Sequence, residues 1–72
     1  MIRSYHDKEP QIAESAYVDP QATIIGDVVV GEDATILPGA VLRGDGGQIV
    51  LEEKANVQDN VTIHADEQTK QV

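Results

Sequence analysis

The run IAESAY-VDPQAT-IIGDVV-VGEDAT-ILPGAV-LRGDGG, residues 12–47, is written in hexads. Each opens on a large aliphatic side chain: Ile12, Val18, Ile24, Val30, Ile36 and Leu42. Four positions later in the first five stand Ala16, Ala22, Val28, Ala34 and Ala40, nearly all of the smallest apolar type. Chance would place six aliphatics in one phase only about a few times per thousand, so the period carries the fold. A repeat this short, with one large and one small apolar residue per unit, is the mark of a hexapeptide β-helix. Each large residue points inward from a short strand, and the small one sits near a corner where three faces converge. Three hexads close one triangular coil, and successive coils stack as parallel strands. Gly26, Gly31, Asp33 and Gly39 suit the corners, where positive φ is easiest for Gly and tolerated by Asp.

Upstream, residues 1–11 are polar and carry Pro10, which reads as an extended lead-in covering the first coil. Downstream, the phase slips after Leu42. GDGGQIV inserts three residues before the ladder resumes at Leu51, Val57 and Ile63, in LEEKAN, VQDNVT and IHADEQ. A second slip of that size puts the next inward position at Val72. Slips at face boundaries are expected to form outward loops, which is where sites gather on rigid scaffolds. The reading is an all-β chain: lead-in 1–11, then a short parallel β-helix over 12–72 of about three coils, with no C-terminal capping helix. A stack of β-hairpins would need Asn-Gly or Asp-Gly turns throughout, and Asp45-Gly46 is the only such pair.

Seventy-two residues make one small domain whose core is marginal alone, so oligomerisation is the expected source of further stability. There is no cysteine, hence no disulfide and no thiolate metal site. Two tyrosines are the only aromatic residues, too few for an aromatic cage or a base-stacking platform. A net charge of −8 argues against nucleic acid and anionic membranes, because phosphates are neutralised by clustered Lys and Arg. No stretch approaches a membrane span, and the opening MIRSYHDKEP lacks the apolar core of a signal peptide, so a soluble, cytoplasmic protein is expected.

Polar groups concentrate from Leu42 to Glu67: Arg43, Asp45, Asn56, Gln58, Asp59, His64, Asp66 and Glu67. Asn56 and Gln58 stand two apart on one strand and project to the same side. His64 follows the inward Ile63 and should point out of the prism. An outward imidazole with a same-face amide and a nearby carboxylate could hold a metal or an anion. The alternative is an ordinary surface histidine, and one histidine is not a metal site.

LRGD at 42–45 followed by NVQDNVTIH at 56–64 resembles the γ-class carbonic anhydrase and γ-carbonic-anhydrase-like family of the left-handed hexapeptide-repeat superfamily. The resemblance covers the whole chain, the MIR opening and Pro10 included. It implies a left-handed β-helix, a homotrimer or a multiple of three, and zinc or a similar divalent metal held between subunits by three histidines. It further implies reversible hydration of CO2 to bicarbonate. On that resemblance His64 is the first metal ligand, and Arg43 and Asp45 form salt bridges across the subunit interface. Gln58 and Asn56 orient the metal-bound hydroxide and its CO2 or bicarbonate partner, Asp59 is an acid near the site, and Glu67 is an acidic proton shuttle. Gly46 departs from the pattern, since such members carry a second acid directly after this aspartate. Three neutral imidazoles leave a position on zinc for water, whose pKa falls to about 7.

Family members are much longer, and their other two metal histidines and their capping helix follow the point where this sequence stops. His6, the other histidine here, lies in the lead-in, where the pattern places no ligand. The expectation is therefore an N-terminal portion without a complete metal site of its own. Three readings stay open: a carbonic-anhydrase-like enzyme; a non-catalytic oligomeric β-helix module or half of a split protein; and a hexapeptide acyltransferase-like protein. The last lacks the long loop and later coils where a thioester donor would dock.

Overall fold

A computed structural model describes residues 1–65 and the backbone of Lys70 and Gln71. The regular elements among them are all strands: β1 (Ile2–Arg3), β2 (Gln11–Ile12), β3 (Tyr17–Val18), β4 (Thr23–Val30), β5 (Thr35–Ile36), β6 (Val41–Leu51), β7 (Asn56–Val57), β8 (Thr62–His64) and β9 (Lys70–Gln71). Every ladder between them is parallel. None of the described elements is a helix long and apolar enough to cross a membrane. The fold is the short left-handed parallel β-helix of hexapeptide repeats.

The ladders define three faces. On the first, β1, the start of β4, the start of β6 and β8 lie side by side, with Ile2, Ile24, Leu42 and Ile63 in one inward column. On the second, Ile12, Val30 and Leu51 form the column. On the third, β3, β5 and β7 align Val18, Ile36 and Val57. Alternation does the rest: β4 reads half-buried, buried, half-buried, buried along its whole length. Ile24, Ile36, Leu42 and Leu51 are completely buried, with Ala22 and Ala40 closing the corners. Each such large side chain contributes about 1.5–3 kcal/mol of burial.

The structure adds detail to two expectations. The lead-in does not merely cover the first coil; it begins it. Ile2 and Arg3 pair with Ile24 and Ile25, and a turn closed by Tyr5 and Lys8 (Tyr5 N to Lys8 O, 2.9 Å) carries the chain round the corner to β2. The slip after Leu42 goes outward, as expected, without breaking the strand. β6 keeps its ladder on both sides of it, passing from Gly26 opposite Gly44 to Val28 opposite Ile49, so residues 45–48 bulge outward against Asp27 alone. Ile49 then fills the inner slot that Val28 fills one coil earlier, and both are wholly buried.

Three of the four corner residues hold positive φ: Gly26 at 82°, Gly39 at 80° and Asp33 at 59°. Gly31 is small for another reason, because a Cβ there would lie 2.8 Å from the Leu51 carbonyl oxygen of the next coil. Val72 and Glu67 lie outside the described residues.

Candidate functional site

The outer side of the first face carries a column of Arg3, Ile25, Arg43 and His64, one from each successive strand. Arg43 and His64 are thus register neighbours on β6 and β8. Asp45 joins them because β6 leaves its ladder just after Gly44. Gly44 permits that departure, since a Cβ on it would stand 2.5 Å from the Asp27 carbonyl oxygen. Asp45, the first residue of the bulge, then folds back over the face. Its Oδ2 accepts a hydrogen bond from Arg43 Nη2 at 3.2 Å, and its Oδ1 lies 3.0 Å from His64 Nε2.

Asp45 is the pivot of the group, its side chain 22% exposed against 45% for Arg43 and 39% for His64. Partial desolvation pushes its carboxyl up. The hydrogen bond and charge of Arg43, together with the His64 contact, outweigh that and hold it below the usual carboxylate range.

Asn56 and Gln58 flank the buried Val57 and are both exposed, as their spacing required. They stand on the third face, whereas His64 stands on the first. Asn56 pairs with Thr35 of β5, whereas His64 pairs with Arg43 of β6. Asp59 follows Gln58 and is exposed. The chain therefore divides the sequence-identified residues into two sets: Arg43, Asp45 and His64 on the first face, and Asn56, Gln58 and Asp59 at the third. Arg43 and Asp45, which the resemblance assigns to bridges between subunits, here bond to each other within one chain.

A cavity of about 300 Å³ opens at the corner between the first and second faces, which no sequence signal announced. Tyr5, His6 and Lys8 from the lead-in turn line one side, and Asp27, Asp45 and Gly46 the other. The His6 ring stands edge-on to Tyr5 with centroids 4.3 Å apart. Gln48 Nε2 donates to Asp27 Oδ1 at 3.3 Å and ties the far end of the bulge to β4.

Catalytic zinc takes three protein ligands, and among the described residues no three His, Cys, Asp or Glu side chains come together to hold a metal ion. On the first face His64 Nε2 is engaged by Asp45. That face offers a guanidinium, a carboxylate and an imidazole on one exposed surface, groups suited to orienting a small anion or to meeting polar groups of another chain.

A family profile described as bacterial transferase hexapeptide (six repeats) matches residues 9–44. Among curated proteins, a carbonic anhydrase of Geobacillus kaustophilus is 45% identical over 64 residues, covering 89% of this chain and 35% of that protein. The carnitine operon protein CaiE of Citrobacter koseri is 49% identical over 55 residues, 76% of this chain and 28% of its own length. The mitochondrial gamma carbonic anhydrase 2 of Arabidopsis thaliana is 41% identical over 63 residues, 88% of this chain and 23% of its own. The chain thus spans about a third or less of the length of these relatives.

Proposed function

Because the chain belongs to the hexapeptide-repeat family, with γ-carbonic-anhydrase-like proteins and CaiE as its relatives, we propose that it is a γ-carbonic-anhydrase-like β-helix whose site forms only where chains meet. The observation behind this reading is the division of the site residues between two faces. A surface bearing Arg43, Asp45 and His64 and another bearing Asn56, Gln58 and Asp59 complete one site when the first face of one copy meets the third face of the next. Such a head-to-tail contact closes into a ring where the rotation allows, which supports a trimer.

The reaction of the complete assembly is reversible hydration of CO2 to bicarbonate, with zinc or a similar divalent metal supplying an activated water when bound. This chain's part is to present His64 as one ligand, to fix that ring through Asp45, and to offer Gln58 and Asn56 as hydrogen-bonding groups for CO2 or bicarbonate. Asp59 and Glu67 are the acids assigned to the site and to proton removal. The remaining ligands come from outside residues 1–65 or from a partner chain. The acidic surface and the absence of an apolar span among the described residues support a soluble, cytoplasmic setting.

A second reading keeps the assembly and drops the chemistry. It is favoured by the Asp45 contact, which engages the His64 nitrogen within the chain. Native mass spectrometry of the purified chain with and without added zinc, followed by stopped-flow CO2 hydration, separates the two. Zinc bound to a trimer and lost in His64→Ala supports the enzyme. A trimer that takes up no zinc and hydrates no CO2 supports the module.

A further inference from the structure

Gly46 stands where the resemblance expects a second acid, and its missing side chain leaves one wall of the corner cavity bare. Residues 45–48 have no ladder partner among the described residues, so Gly46 and Gly47 bring main-chain amides to that wall outside the sheet. Facing them, Tyr5, His6 and Lys8 come from a turn closed twice, by Tyr5 N to Lys8 O at 2.9 Å and by Lys8 N to Tyr5 O at 3.0 Å. His6 holds φ at 54° there, and its ring packs edge-on against Tyr5. A turn closed in this way presents its side chains to a ligand at little ordering cost.

The charges around the cavity are unequally committed. Asp45 spends both carboxylate oxygens on Arg43 and His64, and Asp27 gives one of its own to Gln48. Among the described residues neither Lys8 nor His6 enters an ion pair. Asp7, next to Lys8 in sequence, is the acid that opposes an anion here. The volume, about 300 Å³, lies at the lower end of the range for small-molecule sites. Tyr5, 40% exposed, offers a flat apolar surface beside the cations.

We infer that this cavity binds a small organic carboxylate, its charged end against Lys8, His6 and the Gly46 and Gly47 amides and its carbon body on Tyr5. Hydrogen bonds from an ammonium to a carboxylate are roughly twice as strong as neutral ones, and successive main-chain amides suit the same charge. One chain builds the whole site, so it holds whether or not copies assemble.

The test titrates the nitrogen-15-labelled chain with sodium benzoate and, separately, with benzylammonium chloride, which carries a similar ring with the opposite charge. Benzoate should move the amide signals of residues 5–8 and 44–47 along saturating curves, and benzylammonium should leave them in place. Lys8→Glu and Gly46→Glu should each weaken benzoate at least about tenfold, and Asp7→Asn should strengthen it about threefold. None of the three lies in an inward column, and circular dichroism checks that each variant keeps its β-structure. Benzylammonium bound in preference to benzoate would make this a cation site through Asp27 and overturn the inference. Shifts that spread over the chain without saturating, or benzoate binding indifferent to all three substitutions, would overturn it too. Each of these results leaves the two-face site standing, and a chain that stays monomeric leaves the cavity standing.

Discussion

Asp45 Oδ1 stands 3.0 Å from His64 Nε2 although the two residues are 19 apart in sequence. The contact ties the bulge of β6 to β8, one coil below, and the other oxygen of the same carboxylate takes Arg43. Asp45 thus sets the orientation of the imidazole. The bulge is what brings it there, since an unbroken strand would have carried Asp45 on into the corner with its ladder partner.

The depressed pKa of Asp45 gives this cluster a pH signature. A carboxylate held below its ordinary value of 3.8 contributes its full stabilisation above that value. The contribution is lost as pH falls through the lower folded-state value. Thermal melts of the chain and of Asp45→Asn between pH 7 and pH 2 should show a small gap in midpoint, small because the pair is exposed to solvent. The gap should be constant down to about pH 4 and close below it. A gap that persists unchanged to pH 2 would mean that Asp45 acts through packing instead of charge.

The inward columns predict a steep contrast between two aliphatics of one column. Leu42 is completely buried, whereas Ile2, two coils above it, is 54% exposed. Leu42→Ala should cost about 2–5 kcal/mol, the range for a truncated core leucine. Ile2→Ala should cost less than about 1 kcal/mol. Urea denaturation reads both, and equal costs would contradict the column geometry.

At the corner where β6 departs, Gly26 and Gly44 face each other so closely that neither tolerates a methyl group. A Cβ on Gly26, whose φ is 82°, would stand 2.6 Å from the Gly44 carbonyl oxygen. A Cβ on Gly44 would press on the Asp27 backbone. Each Gly→Ala change should destabilise by about 1–3 kcal/mol, as overpacking does. Gly44→Ala should in addition shift the His64 ring signals in proton NMR, because the bulge carries Asp45. Unchanged stability in both variants would refute the close approach.

The hexad phase was enough to read the inward columns, the corner alanines and the parallel stacking, because each depends on local repetition. It also marked where the insertion falls. What it did not reveal depends on contacts between coils. The ladder resumes on both sides of the bulge since backbone pairing with β4 outweighs the extra residues, and Ile49 slips into a small-residue slot because Leu51 must stay in phase. By sequence Gly31 suits a turn, but its constraint lies in the next coil. Asn56 and His64 looked like partners in one dimension. A change of strand within one coil puts them on different faces, and sequence distance carries no sign of that. His6 reached the corner cavity by the same route.

Tyr17 offers a probe of its own surface. The Asp19 carboxylate accepts its hydroxyl proton in a hydrogen bond, and this bond, with partial desolvation and the negative charge of Asp19, raises the phenol above its ordinary 10.0. The neutral phenol is the stabilising form. Its contribution is complete below the unfolded value and is lost as pH rises through the higher folded one. In a Tyr5→Phe background Tyr17 is the only tyrosine, so absorbance at about 295 nm follows it alone. The midpoint should lie above 10.0 and fall back in Asp19→Asn, where the charge is gone. A midpoint at the ordinary value that ignores Asp19→Asn would place the phenol free in solvent and refute the hydrogen bond to Asp19.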